Sequence, residues 1–94
     1  MLNIGTIVAL KKVIDSGCYV YGTYNEEFIP GKWAYGKMYY MHDFLLIGYD
    51  EERFISVGYL ADGIFRRFNI PNNNLYNSLK DGVKTDIVFL SYNN

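Results

Sequence analysis

Cysteine is nearly missing from this chain. Cys18 is its one thiol, so no intramolecular disulfide can form and no cysteine-rich metal site can be built. Histidine is as scarce, and His42 is the one imidazole that could serve as a general base near pH 7. There is no basic block, and the net charge is -1. A duplex nucleic acid gripped through its phosphates is therefore not an expected partner. No apolar run approaches the ~20 residues that a membrane span requires. The opening Met-Leu-Asn-Ile-Gly-Thr has no basic start and no cleavage site, unlike a secretory signal. Repeats, linkers and low-complexity stretches are absent too. The expectation is one soluble, cytoplasmic domain over residues 1–94, with no metal or cofactor and no membrane association. At this length roughly two-thirds of the unfolded surface can be buried, enough for one modest core.

Apolar residues, by contrast, are plentiful. They make up 50% of the sequence, which excludes a disordered chain. Ten tyrosines imply either a tyrosine-lined core or a surface that binds something. Ile7, Leu10 and Ile14 recur at the helical period, with Lys11, Lys12 and Asp15 on the other side and Gly17 placed as the terminating glycine. Residues 3–16 thus read as a helix. Cys18 to Tyr24 reads as a strand, with Cys18, Val20 and Gly22 on one face and Tyr19, Tyr21 and Thr23 on the other. Cys18 is expected to pack as a small hydrophobe rather than to react.

From Asn25 to Tyr40 the pattern is irregular and aromatic, with Pro30-Gly31 as punctuation. Two readings stand for it: a lid over the sheet, or a wall that stacks on a ligand. Trp33 and Tyr35 are two apart, so extended backbone would aim both to one side.

The most apolar stretch follows. Met41 to Tyr49 and Arg53 to Leu60 form a hairpin around the solvated turn Asp50-Glu51-Glu52. The lone imidazole stands at the mouth of its first strand. Ile64 to Ile70 makes a third strand after Asp62-Gly63, and its neighbours Arg66 and Arg67 face opposite sides. Pro71 opens a second helix with Asn72, Asn73 and Asn74 as cap candidates, Leu75 and Leu79 on one face, and Gly82 as terminator. Thr85 to Tyr92 closes the chain as a strand. The fold class is α+β: a mostly antiparallel sheet of four or five strands with two short helices.

Asp43 adjoins His42 but must point to the other face of the strand, so it cannot orient the imidazole. An orienting group is expected from the returning strand, near Ser56 to Asp62. Alternatively His42 is simply satisfied by a carbonyl or a tyrosine hydroxyl.

The segments Asp15-Ser-Gly-Cys-Tyr-Val20, Phe28-Ile-Pro30, His42-Asp-Phe-Leu-Leu-Ile-Gly-Tyr-Asp50 and Phe54-Ile-Ser-Val-Gly-Tyr59 resemble a papain-like group. That group includes the bacteriocin-processing peptidase domains and the N-terminal domain of the butirosin-pathway acyltransferase. The resemblance spans roughly residues 7 to 80 and covers the histidine-bearing half of such a domain. It implies that His42 stands where the catalytic histidine would be. Cys18 does not match the nucleophile, which in the family lies on an upstream helix. Gly58 stands about where the orienting acid would be.

Two of three catalytic parts are thus missing. The resulting expectation is a non-catalytic module, a pseudoenzyme that sequesters its ligand. It would recognise a peptide or a small molecule, an anionic or nucleotide-like one included. Trp33, Tyr35, Tyr39, His42, Arg66 and Arg67 are the candidate binding residues. One rival is a split cysteine hydrolase or acyltransferase, with His42 as base and a partner chain supplying the thiol. Another is a purely structural, self-associating protein. Apolar groups of both parities, Phe44, Leu46 and Phe54 against Leu45, Ile47 and Ile55, meet too few helices to cover them. This predicts a homodimer.

Overall fold

The computed structural model describes residues 4–79 and 88–91. Helix α1 (Ile4–Asp15) leads into strand β1 (Cys18–Asn25). A 3-10 turn (Glu26–Phe28) and a stretch of turns then reach β2 (Met41–Tyr49), β3 (Arg53–Tyr59) and β4 (Phe65–Pro71). Helix α2 (Asn72–Leu79) and β5 (Val88–Ser91) complete the described chain. The five strands form one sheet in the order β4-β3-β2-β1-β5, with every pairing antiparallel. The α+β architecture read from the sequence is therefore present. The expected terminator Gly82, and positions 85–87 and 92 of the last strand, lie outside the described residues.

Both helices pack on one face of the sheet. Ile7, Leu10 and Ile14 of α1 and Leu75 of α2 meet Val20 and Tyr24 of β1, Phe44 and Leu46 of β2, Phe54 of β3 and Ile70 of β4. Gly17 ends α1 at φ 95°, a left-handed conformation that a Cβ would strain. Pro71 is the last residue of β4 rather than the first of the helix, and it sits on an edge of the described sheet, where a missing N–H is tolerated. Two asparagines act as ties rather than caps. Asn72 Nδ2 donates to the Glu51 carbonyl at 2.9 Å and Asn74 Nδ2 to the Phe28 carbonyl at 2.9 Å. Cys18, expected to be buried, is half-buried at the strand's start, with the Ser16 hydroxyl 3.7 Å from its sulfur.

The opposite face of the sheet carries no described helix. Tyr21, Tyr59 and Phe65 are exposed there, while Leu45, Ile55 and Val57 are half-buried. Among the described residues, no helix is long and apolar enough to cross a membrane.

Candidate functional site

The register of β1 against β2 sets the surroundings of His42. Tyr24 lies opposite His42 and Asn25 opposite Met41. Tyr24 and His42 are cross-strand partners on the helix-bearing face, and the 3-10 turn after β1 brings Glu26 to them. Glu26 Oε2 lies 3.2 Å from His42 Nδ1 and 3.6 Å from Lys32 Nζ. Glu26 and Lys32 are buried, whereas the imidazole is 52% exposed. Lys32 Nζ also donates to the Tyr59 carbonyl at 2.6 Å and lies 5.2 Å from the centre of the Phe68 ring. A buried carboxylate is thus met by two nitrogen-bearing side chains, as a charge away from water must be.

This overturns the expectation that the orienting group comes from Ser56 to Asp62. The carboxylate arrives from the 3-10 turn that follows β1, because β1 rather than β3 is paired alongside His42. Ser56 instead donates its hydroxyl to the Leu45 carbonyl at 2.6 Å. Gly58 does stand close by, and a Cβ there would lie 3.6 Å from Lys32 Nζ. Asp43 points away as expected and accepts the Tyr21 hydroxyl at 2.7 Å. The Glu26 carboxylate faces Nδ1 of the imidazole, the geometry by which a carboxylate orients a histidine ring.

Beneath the dyad lies Tyr24, fully buried and stacked on Phe44 with ring centres 4.7 Å apart. Its hydroxyl has no hydrogen-bond partner among the described residues. Burial, with the Glu26 charge adding to it, pushes this phenol far above the ordinary tyrosine range. Tyr24 is therefore a neutral wall and not an acid or base.

Strands β2 and β3 pair from Tyr49↔Phe54 through a bulge to Leu46↔Ser56. Beyond that point the described pairing stops and a cleft of about 240 Å³ opens. Lys32, His42, Phe44 and Gly58 line it on the helix-bearing side, with Leu45 and Val57 on the opposite face. Tyr21, Asp43, Tyr59 and Phe65 line it on the outer face. A larger depression of about 610 Å³ lies at the other end of β3 and β4, along Glu51–Arg53 and Pro71–Asn74. It is shallow and polar, and several of its groups are engaged with one another, as in the bonds from Asn72 to Glu51 and Glu52. The smaller cleft is the stronger candidate because it combines apolar walls with a few converging polar groups.

Of the residues singled out in the sequence, His42 lines this cleft; Trp33, Tyr35, Tyr39, Arg66 and Arg67 do not. The aromatic loop is held by Asn25, whose Oδ1 accepts the Glu27 and Tyr40 N–H groups at 3.1 and 3.0 Å. Ile29 and Ala34 are buried beneath it, while Trp33, Tyr35, Met38, Tyr39 and Tyr40 are exposed. Trp33 and Tyr35 both reach solvent although their backbone runs in turns rather than extended. Lys37 Nζ lies 5.4 Å from the centre of the Trp33 ring. Arg66 is bound by Asp62. Arg67 is exposed on β4, opposite Val57. Among the described residues, no cluster of three or more His, Cys, Asp or Glu side chains could hold a metal.

Glu26, Lys32, Asp43 and Tyr59 were not expected at a site. For Glu26 the signal was the strand pairing: once Tyr24 is set opposite His42, the turn that follows β1 falls beside the imidazole. Comparison with protein-family models, curated proteins and solved structures finds no match for this chain.

Proposed function

We propose that the chain is a non-catalytic binding module whose ligand enters the cleft between β2 and β3, with the aromatic loop beside it. The observation that carries this reading is the cleft itself: apolar walls from Phe44, Leu45 and Val57, with His42, Lys32 and Asp43 at defined places around them. The anionic version loses support, because Lys32 is met by Glu26 and a carbonyl, and Arg66 by Asp62. Trp33, Tyr35 and Tyr39 extend the surface for a larger ligand or a peptide, since exposed aromatic rings in irregular backbone suit recognition.

The test is native mass spectrometry of the protein purified from its own host. A co-purifying mass should be present and should be lost when Val57→Trp fills the cleft. A ligand retained by that variant contradicts the assignment to the cleft.

One observation favours a second reading. Glu26 supplies the acid that a histidine base needs, so only the nucleophile of a papain-like trio is lacking. A partner chain bearing a thiol would complete a split hydrolase or acyltransferase. The isolated chain should then be blank in esterase, amidase and acyl-transfer assays. Adding the partner should restore turnover that both His42→Ala and Glu26→Gln diminish. Turnover by the isolated chain, abolished by His42→Ala but insensitive to thiol alkylation, contradicts both readings.

A further inference from the structure

The outer end of the cleft has a chemistry of its own. Tyr59 of β3 stands opposite Phe65 of β4, and their rings meet edge to face, 5.1 Å apart at an interplanar angle of 72°. The two rings are in contact and both border the cleft. Both side chains are more than half exposed, at 60% and 58%. Neither is placed there to fill the core. Tyr21 of β1 lines the same cleft from the other side, with its hydroxyl on the Asp43 carboxylate. Three aromatic rings and one carboxylate therefore border a single opening.

We propose that this opening binds a small organic cation of the quaternary or methylated ammonium class. This inference rests on the reading of the cleft as a ligand site. Aromatic faces carry negative potential, and rings arranged around a cation attract it, most strongly where it has little water to shed. Asp43 adds a formal charge. The one lysine lining the same cleft is at its inner end, where its ammonium is met by the Glu26 carboxylate and the Tyr59 carbonyl. The volume, about 240 Å³, falls below the roughly 300 Å³ at which drug-sized ligand sites begin. It therefore suits a compact head group of a free small molecule rather than a large metabolite.

Tetramethylammonium and choline are the probes, followed by nuclear magnetic resonance of the backbone amides and aromatic side chains. The control is 3,3-dimethylbutan-1-ol, an uncharged isostere of choline. Both cations should shift Tyr21, Asp43, Tyr59 and Phe65, and the isostere should bind about tenfold more weakly. Asp43→Asn and Tyr59→Leu should each weaken choline about fivefold or more, and the spectrum of each variant shows whether it is folded. Equal binding of choline and its isostere overturns the proposal, as does binding that survives both substitutions. Phosphatidylcholine vesicles shifting these residues while free choline does not overturns the assignment to a free ligand. A cleft that holds a host-derived ligand, displaced by Val57→Trp, yet ignores both cations, overturns the cation inference and leaves the binding module standing. Failure of both experiments overturns the two together.

Discussion

Glu26 is the residue on which the local chemistry turns. Replacing it with Gln leaves the buried Lys32 ammonium without its counter-charge, and broken buried pairs of this kind cost about 3–5 kcal/mol. The Tyr59 carbonyl still accepts from Lys32, so Glu26→Gln should fall at the lower end, about 3 kcal/mol in urea unfolding. Adding Lys32→Met to Glu26→Gln should recover part of that loss. A double variant no better than the single one would show that the pair is not energetically coupled. Tyrosines supply a second residue-scale test. Tyr21 donates to Asp43, and Tyr49 donates to Asp15 at 2.6 Å; in each case the hydrogen bond to the carboxylate, then desolvation, raises the phenol pKa. A raised folded-state pKa means that the native state holds its proton longer than the unfolded chain. The associated stability is complete below the ordinary tyrosine value of about 10 and is lost as pH rises through the folded values. Absorbance near 295 nm should therefore show fewer tyrosinates at about pH 10.5 in the native protein than in urea. Tyr21→Phe and Tyr49→Phe should each reduce that gap. His42 was conspicuous in the sequence because it is alone, but Glu26 was not, because an acid beside another acid at a strand end looks solvated.

At the scale of elements, most of what was read from the chain is present. Ile7, Leu10 and Ile14 face the core because their spacing matches a helix, and Asp50-Glu51-Glu52 turns the β2–β3 hairpin because Asp50 accepts the Glu52 and Arg53 N–H groups. These are local signals, carried by neighbours in sequence. The pairing of β1 with β2 and the parting of β2 from β3 beyond Ser56 are set by long-range register and by a bulge, which no short pattern encodes. The loop from 29 to 40 escaped a single description because it is built for two environments, with Ile29 and Ala34 inside and the large aromatics outside. Helix α2 is only 8 residues long, so it persists through packing rather than propensity. Leu75, fully buried under it, should cost about 2–5 kcal/mol on truncation to Ala. Denaturant unfolding showing a loss below about 1 kcal/mol would mean that α2 contributes little to the core.

Across the whole molecule, the described sheet is asymmetric. Among the described residues, one face is covered by two helices, and the other presents Tyr21, Tyr59 and Phe65 around half-buried Leu45, Ile55 and Val57. A two-fold dimer that buries the middle of this face, near Ile55, remains the proposed assembly, because soluble monomers rarely expose large apolar patches. Light scattering at micromolar concentration should then give twice 10.9 kDa. A monomer mass with no binding of a hydrophobic dye would show that this face needs no cover. The recognition proposed here is confined to the cleft between β2 and β3. The decisive measurement is to record amide resonances of the labelled protein with and without a small-molecule extract of its host. Shifts should gather on Tyr21, His42, Asp43, Leu45, Val57, Tyr59 and Phe65. Shifts confined to Glu51–Arg53 and Asn72–Asn74, or no shifts in any extract, would contradict it.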